Sequence, residues 1–282
     1  TFLLSFFPQL AQFYFSRYRH IHAALSMQTH SHTDMLRYYY SKLTSIQKKA
    51  FDIIISCIQN YNNIIRLNSC NISLDEIFKL IEIIDRDYPE LFYIDIKRHP
   101  VEIMKYRNTI EIRIGFIYNV ATISKYVYRF SSIRDSLINH ISSMSSYKLK
   151  LDCIYDSISK SVVYNYGAIT PMDYTISGPL LNHTGICEGY AKLLKYFCDA
   201  VGIQCFVISG SGIDNVKNNI ENHAWNIVTL DGIHYHHVDV TWDSVRKQNN
   251  LNNKYYLKSD MFMMKDHYWS NEDLPSCVDY KK

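Results

Sequence analysis

A cysteine flanked by glycines is the residue of this sequence with the clearest chemical potential. Cys187 lies between Gly185 and Gly189, just before apolar residues that recur at helical spacing and stop at Gly202. This spacing places Cys187 in the first turn of a helix, where free backbone N–H groups and the helix dipole favour a thiolate. The glycines have no side chains and would let a substrate backbone approach. We therefore predict that Cys187 is a nucleophile.

A base and a carboxylate follow the cysteine in the chain. The stretch 223–228 is typical of a strand that begins with His223, and the stretch 237–243 is typical of a second strand that contains Asp239. A nucleophile, a general base and a carboxylate that orients the base form a catalytic triad. We therefore predict the triad Cys187, His223 and Asp239.

Each of these residues also has a purely structural interpretation. A cysteine is usually a small buried hydrophobic residue, a histidine can cap a strand end, and a buried carboxylate can accept backbone hydrogen bonds. The flanking glycines and the matching histidine and aspartate favour the triad for Cys187. The structural interpretation is assigned to Cys57, Cys70, Cys153, Cys198, Cys205 and Cys277.

Three motifs in this order resemble a known family. They are Gly-x-Cys-x-Gly-Tyr-Ala at 185–191, His-Ala-Trp-Asn at 223–226 and Val-Asp-Val-Thr-Trp-Asp at 238–243. Together they resemble the transglutaminase-like superfamily of papain-like cysteine enzymes, most closely its bacterial protease and transglutaminase-like members. The stretch Asp266-His267-Tyr268-Trp269 is similar to the end of that domain. The resemblance implies an α+β fold in which the nucleophile helix packs on an antiparallel sheet.

The chain divides into three parts on this interpretation. Residues 120–282 would form the transglutaminase-like catalytic domain, and residues 35–119 a mostly helical region with a few short strands. Capping boxes at Thr44 and Ser73 each predict a helix start in that second part. Residues 1–34 are rich in apolar and aromatic side chains and would form a helical extension.

Two segments are predicted to border the cleft. The segment 164–184 contains two glycines and two prolines and is predicted to be a long loop that forms one wall. It ends in Asn182-His183-Thr184, where the relatives usually have a Gly-Lys turn. The segment 210–222 is polar and is predicted to be a flexible rim.

The length of the turn between the two motif strands decides whether His223 and Asp239 face the same side of the sheet. His223 and Asp239 can touch only if both side chains point to the same side of the sheet. A two-residue turn at Asp231-Gly232 would put them on opposite sides. A three-residue loop, Leu230–Gly232, would put them directly opposite each other. We therefore predict a type I turn with a G1 bulge at Gly232.

The resemblance implies cysteine-dependent acyl transfer on amides through a thioester. Peptide hydrolysis is favoured, because amine transfer needs a walled tunnel that no sequence feature indicates. The alternatives are a protein-glutamine transglutaminase or deamidase, and a binding module that kept the fold without turnover. The backbone N–H of Cys187 would bind the oxyanion. Further substrate or oxyanion candidates are Tyr174, Gly185, Gly189, Trp225 and Asn226.

The amino-acid composition limits the classes of partner and site that this chain could have. The 282 residues are 47% hydrophobic and 20% charged, which is typical of a folded protein. A net charge of +3, with scattered basic residues, argues against nucleic acid, and no apolar run is long enough for a transmembrane helix. Seven cysteines without a CxxC pair argue against a disulfide framework or zinc ribbon.

We predict a protein or peptide substrate, no metal and no cofactor. The cluster His234, His236 and His237 is assigned structural or surface roles, because no third ligand accompanies the pair that shares a face. The oligomeric state is not predicted. The compartment stays open, since relatives of this kind are often exported or surface-attached and a removed signal peptide would leave no trace.

Overall fold

The computed structural model describes residues 37–68, 71–214, 219–270 and 274–281. The predicted helical extension 1–34 lies outside them. The helices are α1 (Tyr38–Ser41), α2 (Ser45–Gln59), α3 (Leu74–Asp87), α4 (Val120–Ile141), α5 (Tyr147–Ser161), α6 (Ser177–Asn182), α7 (Cys187–Ala200), α8 (Val240–Gln248) and α9 (Asp260–Met263). The strands are β1 (Ile64–Asn68), β2 (Ile94–Asp95), β3 (Glu102–Lys105), β4 (Thr109–Arg113), β5 (Gly115–Phe116), β6 (Val163–Tyr164), β7 (Thr184–Gly185), β8 (Gln204–Asp214), β9 (Asn219–Thr229), β10 (Tyr235–Val238), β11 (Tyr256–Lys258) and β12 (His267–Tyr268).

A five-stranded antiparallel sheet carries the predicted site. Its strand order is β11-β10-β9-β8-β12, and α7 packs against β8 and β9. Alternation along the strands gives two buried faces, one with Phe206 and Trp225, the other with Val207 and Ala224 against Cys187. This arrangement confirms the predicted α+β fold with a nucleophile helix on an antiparallel sheet.

The described residues of the polar segment 210–222 lie in strands, where a loop was predicted. β8 and β9 pair without interruption from Gln204↔Thr229 to Asp214↔Asn219, and residues 215–218 lie outside the described residues. The glycines suggested a loop, but a Cβ atom at Gly210 would collide with the Tyr268 carbonyl oxygen. The glycine is needed for this close packing of strands, so the prediction of a flexible rim is wrong.

The segment 164–184 is also more regular than predicted. It contains a 3-10 turn at Pro171–Tyr174 and the short helix α6, and its ends pair as the parallel strands β6 and β7. Pro171 lies in the first turn, where a missing N–H costs nothing. Gly178 lets the backbone of the 3-10 turn pass closely. Glycine and proline thus mark tight packing here instead of irregular chain.

The region before residue 120 contains both predicted helix starts. The capping boxes at Thr44 and Ser73 are formed, and α2 and α3 follow them. The strand β1 was not predicted; it pairs with β4 in a three-stranded sheet, β1-β4-β3. One hydrophobic core contains Ile54 and Ile77 from this region and Leu193 from α7. The division at residue 119 therefore stays a prediction about folding units.

Buried ion pairs tie the N-terminal region to the first turns of α7. Lys192, which is 3% exposed, donates to Asp85 Oδ1 at 2.7 Å and to Glu188 Oε1 at 2.9 Å. Lys97 Nζ lies 3.1 Å from the other Glu188 oxygen. Because removing one partner of a buried pair leaves an uncompensated charge, these contacts hold the start of α7 in place.

The hairpin turn is longer than predicted, but the side chains of its two strands still face the predicted sides of the sheet. β9 and β10 close at Thr229↔Tyr235, so the loop is Leu230–His234 and not the three residues expected. The Asp231 carboxylate accepts from the backbone N–H groups of Ile233 and His234, which favours the longer loop. Gly232 has the predicted positive φ of 76°. A shift of two residues leaves side chains on the same face.

Candidate active site

Cys187 is the first residue of α7. The preceding Ile186 provides no side-chain cap, and its own N–H donates to the carbonyl of Asp173. The first N–H groups of an α-helix have no intrahelical acceptor, so the thiol lies beside uncapped backbone donors. The helix ends as predicted, with Gly202 at positive φ just beyond it. Cys187 is 9% exposed, which leaves a narrow opening to solvent.

His223 lies on β9 between the thiol and a carboxylate. Its Nε2 is 2.7 Å from Asp239 Oδ2, and its ring lies close enough to the Cys187 thiol for that group to contribute to its raised pKa. With Nε2 committed to the carboxylate, Nδ1 is the nitrogen left for the thiol. Burial alone would lower the pKa of His223, but the Asp239 charge and the bonds to Asp239 and Cys187 raise it to about 10. The protonated ring is therefore strongly favoured.

Asp239 does not lie inside a strand as predicted. β10 ends at Val238, and Asp239 is the N-cap of α8, where its Oδ1 accepts from the N–H groups of Thr241 at 2.9 Å and Trp242 at 3.1 Å. An aspartate at an N-cap satisfies the first free helix donors, which is why the strand stops here. Burial alone would raise the pKa of Asp239, but the histidines at Oδ2 hold it well below its usual range.

A second histidine, His267, contacts the same carboxylate and was missed. It lies on β12 at the sheet edge, paired with Gly212, and its Nε2 is 3.1 Å from Asp239 Oδ2. Its Nδ1 is 2.8 Å from Asp266 Oδ1. The stretch 266–269 carried a resemblance to the family but no role, and only the pairing of β12 with β8 brings His267 to the site.

Aromatic rings enclose the two histidines. Trp225 is stacked on His223 with ring centroids 5.8 Å apart, and Trp242 lies 5.1 Å from His223 and 4.3 Å from His267. Trp225 is completely buried and Trp242 partly so, and both pack in the hydrophobic core on this face of the sheet. These rings keep water from the back of the site, where the charged hydrogen bonds lie.

The predicted substrate and oxyanion candidates separate into two groups. Trp225 donates to His237 Nδ1 at 3.0 Å, and Asn226 donates to the Ala191 carbonyl at 2.9 Å. Both are buried and serve internal contacts. Tyr174 is half-buried in the 3-10 turn, with Lys97 Nζ 5.7 Å from its ring centroid. It stays a candidate beside the start of α7.

The flanking glycines serve the packing of the protein itself. A Cβ atom at Gly189 would collide with the Asp173 carbonyl oxygen, and one at Gly185 would lie 3.0 Å from Pro179 Cγ. The close approach that requires Gly189 is therefore made by the 3-10 turn, and the expectation that a substrate backbone approaches there is wrong.

Tyr164 forms a wall that the sequence did not identify by residue. It packs on Cys187, and its ring lies tilted against that of Tyr166, with ring centroids 4.8 Å apart. Burial raises the pKa of Tyr164, and the negative charges of Cys187 and Glu221 add to this effect. The start of the segment predicted as a wall does therefore border the thiol.

A second group of cysteine, histidine and aspartate lies on the same sheet. His237 Nε2 is 2.8 Å from Asp260 Oδ1, and Asp260 Oδ2 accepts from the Cys277 N–H at 3.0 Å. Trp225 donates to the other nitrogen of His237. His236, by contrast, bonds the Val278 carbonyl, and the remaining histidine of that cluster is exposed on the turn.

Neither group of side chains fits a metal ion. Tetrahedral zinc with bonds of 2.0–2.1 Å separates its ligand atoms by about 3.3 Å, whereas the His223–Asp239 contact is 2.7 Å. In the second group, the indole of Trp225 can only donate, so His237 Nδ1 is an acceptor and Nε2 carries the proton. A metal ion at Nε2 would have to displace this proton. Because Nδ1 is already an acceptor, the ring would then be an imidazolate anion. Both contacts are hydrogen bonds.

No helix within the part of the chain that the structure describes is both long and apolar enough to cross a membrane.

A protein-family profile matches part of the chain. Residues 135–240, which include Cys187, His223 and Asp239, match the sequence profile of the transglutaminase-like superfamily. No curated protein matches the chain significantly.

Three solved structures share limited similarity with the chain. A TGase is 14% identical, over 50% of this chain and 43% of that chain, with a TM-score of 0.32. A candidate cysteine protease from Cytophaga hutchinsonii is 14% identical, over 50% and 61%, with a TM-score of 0.34. The periplasmic domain of TgpA from Pseudomonas aeruginosa is 15% identical, over 50% and 56%, with a TM-score of 0.32.

The matched region therefore spans about half of each of these structures. The profile match covers the nucleophile helix and both motif strands, so the segment 135–240 of this chain is similar to the transglutaminase-like superfamily.

Proposed function

We propose that the protein is a cysteine-dependent acyl transferase that acts on amides through the triad Cys187, His223 and Asp239. The observation that carries this proposal is a buried hydrogen bond beside the thiol at the uncapped start of α7. It joins His223 Nε2 to Asp239 Oδ2 at 2.7 Å, and it leaves the other nitrogen of His223 for Cys187, whose thiol contributes to the raised pKa of that ring. Nucleophile, base and orienting carboxylate are thus in their working order.

In the resting enzyme the proton of the Cys187 thiol has already passed to His223 Nδ1. The Asp239 carboxylate stabilises the imidazolium, whose pKa of about 10 keeps the ring charged at neutral pH. The thiolate then attacks the amide carbonyl carbon, and the developing oxyanion accepts from the backbone N–H of Cys187. His223 returns its proton to the leaving amine, and a thioester is left on the sulfur.

Hydrolysis is the favoured fate of the thioester. Cys187 and His223 are only 9% and 8% exposed, so the opening to the sulfur is narrow. Water can reach the thioester without a second substrate channel, whereas transfer to a lysine amine needs room for a second side chain. A peptide bond as substrate would make the protein a protease, and a glutamine side chain would make it a deamidase.

The non-catalytic alternative is tested by selective alkylation. At about pH 6.5 a thiolate reacts with iodoacetamide far faster than an ordinary thiol. We expect peptide mass spectrometry of the labelled chain to find Cys187 modified first, at a rate about 100-fold above that of the buried Cys205. The variant Cys205→Ala serves as control and should leave labelling of Cys187 unchanged. Slow and equal labelling of all cysteines would support a binding module.

The product distinguishes the three enzymatic fates. The full chain and its Cys187→Ala variant are incubated with a mixture of proteins, and new peptide termini, ammonia and crosslinks are measured. New termini that are absent with Cys187→Ala indicate a protease. Ammonia without new termini indicates a deamidase, and ammonia with crosslinks indicates a transglutaminase. Equal products from both proteins would contradict the assignment of Cys187.

A further inference from the structure

His267 is a fully enclosed neighbour of the proposed triad. Its side chain is fully buried, and its ring lies 4.3 Å from Trp242, 5.0 Å from Trp225 and 5.3 Å from Tyr255 between ring centroids. The His223 ring is 5.4 Å away. In such an apolar enclosure every N–H and every lone pair needs a partner, so the contacts of His267 report its protonation.

Both ring nitrogens of His267 face carboxylates. Nε2 is 3.1 Å from Asp239 Oδ2 and Nδ1 is 2.8 Å from Asp266 Oδ1. Burial alone would raise the pKa of Asp266, but bonds from His267, Tyr255 and Lys254 hold it below its usual range. Asp266 Oδ2 also accepts from Lys254 and Tyr255, and Asp239 also accepts from His223 and two backbone N–H groups, so both carboxylates act as ionised acceptors. Two acceptors require two N–H donors, which only the imidazolium has.

The surrounding charges compensate for such a cation. Asp266 Oδ2 accepts from Lys254 Nζ at 3.1 Å and from the Tyr255 hydroxyl at 2.8 Å. The nearby His237 has a lowered pKa, through burial first and through the charge of His267 as well, so it adds no positive charge of its own. The three positive charges of His223, His267 and Lys254 exceed the two negative charges of the carboxylates by one. The buried imidazolium is therefore paired on both sides.

We propose that His267 is a positioning residue of the triad, an imidazolium that holds Asp239 in place and shares its Oδ2 with His223. This inference rests on the proposed function and deepens it. Two donors at Oδ2 and the two α8 amides at Oδ1 leave the Asp239 carboxylate no freedom to rotate. This fixes the direction of the hydrogen bond between His223 Nε2 and Asp239, and it turns the other nitrogen of His223 toward the thiol.

The charge of His267 also moderates the base. A positive ring close to His223 opposes the second positive charge that His223 acquires when it takes the thiol proton. Without it, Asp239 would hold that proton more tightly, and His223 would return it to the leaving amine more slowly. Removal of the charge is therefore expected to raise the pH at which His223 loses its proton.

Nuclear magnetic resonance of the full chain with ¹⁵N-labelled histidine tests the charge state. The ring resonances of His267 are those that disappear in His267→Gln. Because both ring nitrogens face carboxylate oxygens, we expect both to carry a proton near neutral pH. One unprotonated nitrogen there would overturn the proposal. This measurement needs no substrate, so it is independent of whether the protein turns over any amide.

The same spectra test the effect on His223. In His267→Gln, whose amide can still donate to Asp239, the titration of His223 is expected to move up by roughly one pH unit. Asp260→Asn, which alters the other buried Asp–His pair, is the control and should leave it in place. A midpoint that is unchanged or lower in folded His267→Gln would contradict the role of the charge. Should this variant not fold, the charge state in the unmodified chain still decides.

Discussion

Two groups of cysteine, histidine and aspartate lie on the five-stranded sheet, and only one has a histidine nitrogen free for its thiol. In the first, His223 binds Asp239 through Nε2 and turns its other nitrogen toward Cys187. In the second, His237 binds Asp260 through Nε2, but its Nδ1 accepts from the Trp225 indole.

The electrostatics of the two groups are opposite as well. The pKa of His223 is raised to about 10, whereas burial lowers that of His237 although Asp260 opposes it. Burial and the charge of Asp260 raise the pKa of Cys277 far above its usual value. A thiol beside a carboxylate stays protonated, so the second group is a structural element.

The indole of Trp225 connects the two groups. It stacks on His223 and donates to His237, so the Asp260–His237 pair fixes the orientation of a ring that supports the proposed base. Proximity of these three residue types is therefore not enough to form a triad. A triad also needs a histidine nitrogen that is free to face the thiol, and a helix start beside the sulfur.

Replacement of the two aspartates should give the largest contrast. Asp239→Asn should reduce turnover, or the alkylation rate of Cys187, by roughly 10³- to 10⁴-fold, because asparagine favours the wrong tautomer of His223. Asparagine is also a good N-cap, but the loss of the charge that His223 and His267 face should lower the melting temperature as well. Asp260→Asn should keep most of the rate. Equal losses in both variants would remove the distinction between the two groups.

The two histidines should give opposite pH dependences of stability. The folded pKa of His223 lies above its unfolded value, so its stabilisation is complete below about pH 6.5 and is lost as the pH rises toward about 10. The loss is at most about 1.4 kcal/mol per pH unit. The pKa of His237 lies below its unfolded value, so its effect is a loss of stability as the pH falls below about 6.5.

Denaturant unfolding at several pH values measures both effects. His223→Gln should flatten the alkaline side of the stability profile, and His237→Gln should flatten the acidic side. Flattening on the same side by both variants would show that the histidines share one environment.

Replacement of the shared indole should have the smallest effect. Trp225→Phe keeps a ring against His223 but leaves His237 Nδ1 without its donor, which costs roughly 1–3 kcal/mol of unfolding free energy. The alkylation rate of Cys187 should stay within a few-fold. Trp242→Phe, whose ring also contacts His223, is the matched control and should cost less. A rate loss as large as that of Asp239→Asn would mean that the indole acts on the triad directly.

Local signals in the sequence predicted much of the site. The apolar spacing before Gly202 located α7 and placed Cys187 at its start, and the capping boxes located α2 and α3. Parity predicted that His223 and Asp239 share a face, and it survived an error of two residues in the turn. These signals work because capping and periodicity involve residues only a few positions apart.

The same local signals failed where packing between distant segments took over. Glycines that suggested loops at 210 and 178 turned out to allow close backbone contacts, and the apolar alternation around Asp239 concealed an N-cap. Each of these residues is chosen for a neighbour that its own segment does not contain.

The amino-acid sequence by itself determined the nucleophile helix, the order of the motifs and the face on which His223 and Asp239 meet. Only the tertiary structure decided that His267 joins Asp239 across 28 residues and that Trp225 occupies the nitrogen of His237. Local periodicity has no information on such pairs, because a histidine becomes a base, a positioning cation or a neutral anchor through the partners that the folded sheet brings to its two nitrogens.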